Sequence, residues 1–336
     1  MITSQYMDSI SHLSLLFLSS LIAACVTSKT HVVFDENYAV NREGDHVQDL
    51  DGQREVIPSK DQASGLMMKA PLLSNGEVQF GQNYVVSWGG DHVGILDGGM
   101  EVVLSMDKTS GSGFSSKLKY GSGFFHLKAR IPGRNSAGVV TAFYLTSGTS
   151  NHDELDFEFL GNLEGKPITL QTNVFADGKG NREQRISLWF DPTADFHDYK
   201  ILWNPYQIVF YADDVPIRVF GNKTNIGVGY PSQPMKIIAS LWNGDDWATD
   251  GGRTKINWSY APFKANFQGF NIDGCSTEVS DVSLCSSSSL WWNNQRYKQL
   301  SSAERLAYEN VKKKYMTYDY CDDVKRFGTM PPECPQ

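Results

Sequence analysis

The 336-residue chain lacks the marks of several common protein classes. It has no surplus of basic residues, since 30 Lys and Arg stand against 38 Asp and Glu, giving a formal net charge of −8. That balance argues against nucleic acid or an anionic membrane as the main partner and is compatible with a neutral one. It has only five cysteines, with no CxxC or Cys/His spacing of the kind that holds zinc, so neither metal nor cofactor is expected. Between residues 80 and 270 no stretch sustains a helical period for three turns. There is one long hydrophobic run, HLSLLFLSSLIAACV, and it is too short for a comfortable membrane span.

That run ends in small residues, as the apolar region of a secretory signal does. Residues 1–28 are therefore expected to be a signal, cut somewhere between Ala24 and Lys29, leaving a secreted chain with no membrane attachment. The leading segment carries Asp8 and no Lys or Arg, unlike most signals, and a lipidation box around Cys25 ranks second. Four cysteines remain, Cys275, Cys285, Cys321 and Cys334. In an exported protein that number implies two disulfides, and the clustering favours Cys275 with Cys285 and Cys321 with Cys334.

What is present is abundant aromatic and β-branched sequence in short runs. From NYVVSW through GMEVVLSM, GSGFFHLKARI, GVVTAFYLT, ELDFEFL, PITLQTNVF, RISLWF, YKILWN, YQIVFYADD and PIRVF to MKIIASLW, turn signals separate the runs. Such spacing predicts an all-β sandwich over residues 80–270. The 271–336 extension holds the exception, SSAERLAYENVKKKYMTY, which opens on a Ser301-to-Glu304 capping box and carries Ala303, Ala307 and Val311 on one stripe. One C-terminal helix is expected there. Ahead of the sandwich, residues 34–65 repeat residues 80–111 at an offset of 46, with GDHV and LDG in both copies. The first copy has Arg42 where the second has Trp88, and Pro58 where the second has Leu104, so 29–79 reads as a degenerate duplicate and the poorer strand former.

The segment HDELDFEFLGN carries the chemistry. In a strand, Glu154, Asp156 and Glu158 share one face, while Asp153, Leu155, Phe157 and Phe159 share the other. Taken alone, the row admits two readings, a solvated outer face or a functional site. Geometry favours the second, because Cα atoms ~13–14 Å apart let two Glu side chains close to ~5–6 Å, near the separation of a retaining glycosidase pair. Mutual repulsion is expected to keep one carboxyl protonated, with Glu158 as the proton donor.

With QTNVF, GNREQ, WFDPTADFHDYKILWNPYQIVFY, SLWNGDDWAT and INWSYAPF, this strand resembles the plant xyloglucan endotransglucosylase/hydrolases of glycoside hydrolase family 16, from about Phe80 to Cys334. The resemblance implies a curved antiparallel β-jelly-roll sandwich, a C-terminal extension with two disulfides, and a monomer acting on xyloglucan or related β-glucan donor and acceptor chains in the cell wall. It implies Glu154 as nucleophile, Glu158 as general acid/base and Asp156 as the residue orienting the nucleophile. Sugar binding is implied for Gln171, Thr172 and Asn173 in QTN, Asn181, Arg182 and Glu183 in NRE, Asp246, Trp247 and Gly251 in DWATDGG, and Arg326 in KRF. Trp189, Trp203 and Trp242 read instead as core or cleft wall. The rivals are a xyloglucan or mixed-linkage glucan hydrolase and a sandwich that binds glucan without cutting it.

Three departures from the family pattern stand out: the duplicate, Leu155 where Ile or Val is commoner, and Asn162-Leu163-Glu164, which lacks a frequent glycosylation sequon. Two other sequons exist. Asn222 is the expected glycan site, with Asn257 expected to be buried.

Overall fold

The computed structural model describes residues 78–277 and 281–334. The expected signal and nearly all of the duplicate lie outside the described residues. A short helix α1 (Phe80–Asn83) leads into β1 (Tyr84–Trp88), β2 (Val93–Leu96), β3 (Glu101–Met106), β4 (Ser112–Ser116), β5 (Tyr120–Arg130), β6 (Val139–Thr146), β7 (Glu154–Leu160) and β8 (Thr169–Phe175). Then come β9 (Gln184–Ser187), β10 (His197–Trp203), β11 (Gln207–Ala212), β12 (Val215–Gly221), β13 (Lys236–Asn243), β14 (Phe263–Gln268) and β15 (Ile272–Ser276). Helix α2 (Ser302–Lys314), strand β16 (Met316–Asp319) and the short α3 (Val324–Phe327) belong to the extension.

The strands form two antiparallel sheets that face each other across the core. One has the order β1-β4-β13-β6-β7-β8-β9-β16, and the other β12-β11-β10-β5-β14-β3-β2, with β15 beside β5. Alternation builds the contact between them. From β7, Leu155, Phe157 and Phe159 point inwards, and Phe157 and Phe159 meet Tyr199 of the second sheet edge-on, with ring centroids 5.8 and 4.6 Å apart. Burying each such side chain contributes about 1.5–3 kcal/mol, so the inward row holds β7 in register. The outward row of the same strand is thereby committed to the opposite face.

Each of the eleven quoted runs coincides with or overlaps a strand. Strands β2, β4, β14, β15 and β16 lay outside those runs. In β4 the sequence SGFSS is too rich in Ser and Gly to signal a strand, and its glycine has a packing reason given below.

The extension covers what the second sheet leaves open. Outward-facing Phe124, Leu202, Val209 and Tyr211 are buried by Cys275, Cys285, Trp292, Tyr297 and Leu300. Helix α2 has the expected capping box, and Val311 is buried with Ala303 and Ala307 half-buried on its stripe. After α2 the chain reaches the other sheet, where β16 pairs with β9 and adds an edge strand to it. Both favoured disulfides are present, Cys275–Cys285 and Cys321–Cys334, with Cα separations of 5.4 and 5.6 Å. Closing loops of this length contributes about 3 kcal/mol each to stability.

One sequence expectation reverses here. Asn257 is exposed, its side chain bonding only across its own turn to Ser259, because it caps the turn before Trp258 rather than entering the core. Asn222 is half-buried, and its amide nitrogen donates to the Pro205 carbonyl at 2.9 Å.

Candidate active site

Glu154, Asp156 and Glu158 line one cavity of about 420 Å³ on the outer face of the first sheet. Its floor comes from neighbouring strands in register. Asp156 pairs with Asn173 of β8 and Tyr144 of β6, and Glu158 pairs with Gln171 and Ala142. Trp242 and Trp247 form one wall, with Phe175 and Glu183 also at the surface. Asp153, the first acid of the segment, does structural work instead. It is buried and accepts from the backbone N–H groups of Asp177, Ser232 and Gln233 at 2.7, 2.6 and 2.8 Å, which ties three segments to the head of β7.

The three cleft carboxyls differ in their surroundings. Burial raises all three above their ordinary values. Desolvation is the leading cause, ahead of the mutual repulsion on which the sequence reading relied. Asp156 is pushed furthest, being wholly buried between two glutamates, with the guanidinium of Arg218 as a partial offset. For Glu154 the rise from burial is offset in part by the Thr146 hydroxyl, nearby His152 and Asp156, which all favour its ionised form. The imidazole Nε2 of His152 lies 3.9 Å from Glu154 Oε1.

Glu158 is held differently. Arg185 Nε donates to Gln171 Oε1 at 2.8 Å, and Gln171 Nε2 donates to Glu158 Oε2 at 2.8 Å. Arginine can only donate, so this chain orients the amide with its NH₂ toward the carboxyl. Oε2 is thereby engaged as an acceptor, a bond that favours the ionised form and offsets part of the rise that burial causes.

Asp156 gives a test whose sign follows from its burial. With a folded value above the unfolded one, the native state keeps a proton that the unfolded chain releases, so stability falls as pH rises through that window. Asp156→Asn removes the dependence. Its melting temperature is expected to match wild type below the ordinary aspartate value of 3.8 and to exceed it progressively above. Activity should fall about 10²-fold. A shift in melting temperature equal at every pH would contradict the assignment.

The other sequence-derived positions separate by place. Gln171, Asn173, Glu183 and Trp247 line the carboxylate cavity. Asn173 Oδ1 accepts from the backbone of Val174 and Arg182 at 2.9 and 3.0 Å, leaving its NH₂ as donor. Arg326 of α3 donates to Glu183 Oε2 at 2.7 Å and Asn181 Oδ1 at 2.8 Å, and so brings the extension to the cleft. A second cavity of about 380 Å³ shares Gln171, Glu183 and Trp247 with the first and adds Arg185, Tyr318, Asp323 and Arg326.

Thr172 and Arg182 lie elsewhere. Thr172 faces the core, where its carbonyl and hydroxyl accept from Arg218 Nη1 at 2.8 and 3.1 Å, because alternation turns it away from Gln171 and Asn173. Arg182 is buried against Glu333, with Nε 2.6 Å from Oε1, and ties the end of the extension to the sandwich. Asp246 is fully exposed beside Lys255 and Gly251 lies on an exposed turn, and neither lines either cavity. Of the three tryptophans, Trp203 is core, Trp242 is cleft wall, and Trp189 packs half-buried against Tyr315. Arg185 and Arg218 escaped the sequence reading. Only the strand alternation that places Arg185 opposite Gln171 offered a signal.

A two-sheet sandwich with a buried carboxylate row in an open cleft is the apparatus of a glycoside-cleaving enzyme, and the model for glycosyl hydrolases family 16 matches residues 80–260. A second model, the xyloglucan endo-transglycosylase C-terminus, matches residues 286–334. The chain belongs to the xyloglucan endotransglucosylase/hydrolase family. It is 59% identical over 323 residues to xyloglucan endotransglucosylase/hydrolase protein 2 of Arabidopsis thaliana, covering 96% of this chain and 95% of the relative. It is also 60% identical over 223 residues to the same plant's putative xyloglucan endotransglucosylase/hydrolase protein 1, covering 66% and 75%. Among solved structures, a Bacillus licheniformis β-glucanase aligns with a TM-score of 0.46 at 24% identity, over 55% of this chain and 89% of that one.

Proposed function

We propose that this enzyme is a secreted, monomeric xyloglucan endotransglucosylase of the plant cell wall. Glu154 attacks the anomeric carbon of a β-1,4-glucan backbone while Glu158 delivers its proton to the departing chain, leaving a glycosyl ester on Glu154. Asp156, between them, donates a hydrogen bond to the Glu154 carboxylate before the ester forms and again when its cleavage restores that carboxylate. Glu158, now a base, takes the proton of an incoming hydroxyl. A sugar hydroxyl there completes transfer, and water completes hydrolysis.

The observation that carries transfer is the second cavity. It adjoins the carboxylates and is built largely from β9 and the extension, including Tyr318, Asp323 and Arg326, so a second chain can be held beside the ester. Holding an acceptor there raises its effective concentration over that of an unoriented competitor. Xyloglucan incubated with a labelled xyloglucan oligosaccharide should yield labelled polymer with little gain in reducing ends. Reducing ends released at the same rate with or without the acceptor, and no label in polymer, would make the enzyme a hydrolase instead.

A further inference from the structure

Trp88 lies at the far edge of the cleft sheet, away from every group described above. Along β1, Tyr84 packs in the core and Val86 pairs with Phe114, so simple alternation would send residue 88 to the same inner side. Instead the register slips between Val86 and Trp88, which stands opposite Gly113. This β-bulge turns Trp88 onto the cleft face, and bulges of this kind recur where a side chain must be re-aimed beside an active site.

Glycines make room for it. A Cβ on Gly113 would stand 2.4 Å from Trp88 Nε1, and one on Gly111 3.0 Å from Cη2, so the indole rests directly on the backbone ahead of and within β4. The residue is nevertheless 41% exposed. A tryptophan recruited only to cover backbone had the inner face available, where Tyr84 and Phe114 already pack.

Pairing puts Trp88 in line with the acid. Trp88–Gly113, Gly113–Ser240, Ser240–Ala142 and Ala142–Glu158 are successive cross-strand partners. Ser240 and Ala142 already line the carboxylate cavity, and the three partners between Trp88 and Glu158 on this line, Gly113, Ser240 and Ala142, are all small. Beyond Glu158 the same line continues through Gln171, Arg185 and Tyr318 into the second cavity. Four strand spacings separate Trp88 from Glu158, ~19 Å, and a β-linked pyranose repeat is of the same order as one spacing.

We propose that Trp88 is a sugar-binding platform at the β1 end of the cleft, offering its indole to a pyranose ring of the β-glucan about four sugar units from the cleavage point. The inference rests on the reading of the carboxylate cavity as a glucan-cleaving site. The distant platform lengthens the grip on the backbone and selects long chains over short ones. The duplicate's Arg42 offers no such face at the matching position.

The test is the dependence of affinity on chain length in a series of β-1,4-glucan oligosaccharides, measured calorimetrically on full-length protein carrying Glu154→Ala. Affinity should rise about tenfold when the oligosaccharide becomes long enough to reach Trp88. That increment should vanish in Glu154→Ala/Trp88→Ala and largely return in Glu154→Ala/Trp88→Tyr. An increment that persists without Trp88, or an affinity lowered equally at every length, would overturn the platform. Turnover by the unmutated enzyme is judged separately: oligosaccharides bound but never cut would refute the catalytic reading, while the length dependence of binding would still decide the role of Trp88.

Discussion

Glu154→Ala is expected to abolish chain transfer, lowering kcat on the order of 10⁴-fold or more, since it removes the carboxylate proposed to form the ester. The lost carboxylate leaves a space at the anomeric carbon that a small anion can occupy. With an activated aryl glycoside, added azide should restore part of the cleavage and give a glycosyl azide of inverted configuration. Activity retained without azide would remove Glu154 from the nucleophile's role. The cavity wall should survive the change, because β7 is held by Leu155, Phe157 and Phe159 on its inner face.

Glu158→Ala should produce a different signature. With a sugar as leaving group, loss of the proton donor should cost about 10²–10⁴-fold in kcat. With an aryl leaving group that needs no proton, formation of the ester should survive and its breakdown become limiting, visible as a burst. The pH profile should change as well. In the unmutated enzyme the donor form is lost as pH rises through the raised value of Glu158, so the alkaline limb belongs to this residue. In the variant that limb should disappear from the first step. Equal losses on both substrate types would show that Glu158 shapes the cleft rather than supplying a proton.

The two carboxylates were readable because their information is local. A period of two, three acids and three large apolar residues on one strand, and the reach of a glutamate side chain suffice to propose the pair. The strand series was legible for the same reason, with β4 lost because Gly113 serves Trp88 rather than strand propensity. Reading the motif did less well where neighbours in sequence part company in space. Thr172 sits between two cleft residues and faces the core, and Arg182 sits between Asn181 and Glu183 yet is buried against Glu333. Alternation alone would have separated Thr172 from Gln171 and Asn173. Nothing local marks Arg182, whose partner lies 151 residues away.

The sequence by itself determined the sandwich, the capped helix, the disulfide pairing and the carboxylate row, because each depends on spacing within one segment. Tertiary structure decided how each acid is tuned. Burial outweighs repulsion in raising the carboxyls, the Arg185–Gln171 chain fixes which oxygen of Glu158 is free, and Arg218 enters from the opposite sheet. It also decided which face Trp88 shows, through one slip in register. Desolvation and cross-sheet contact are properties of packed atoms far apart in the chain, so no reading of neighbours along it contains them.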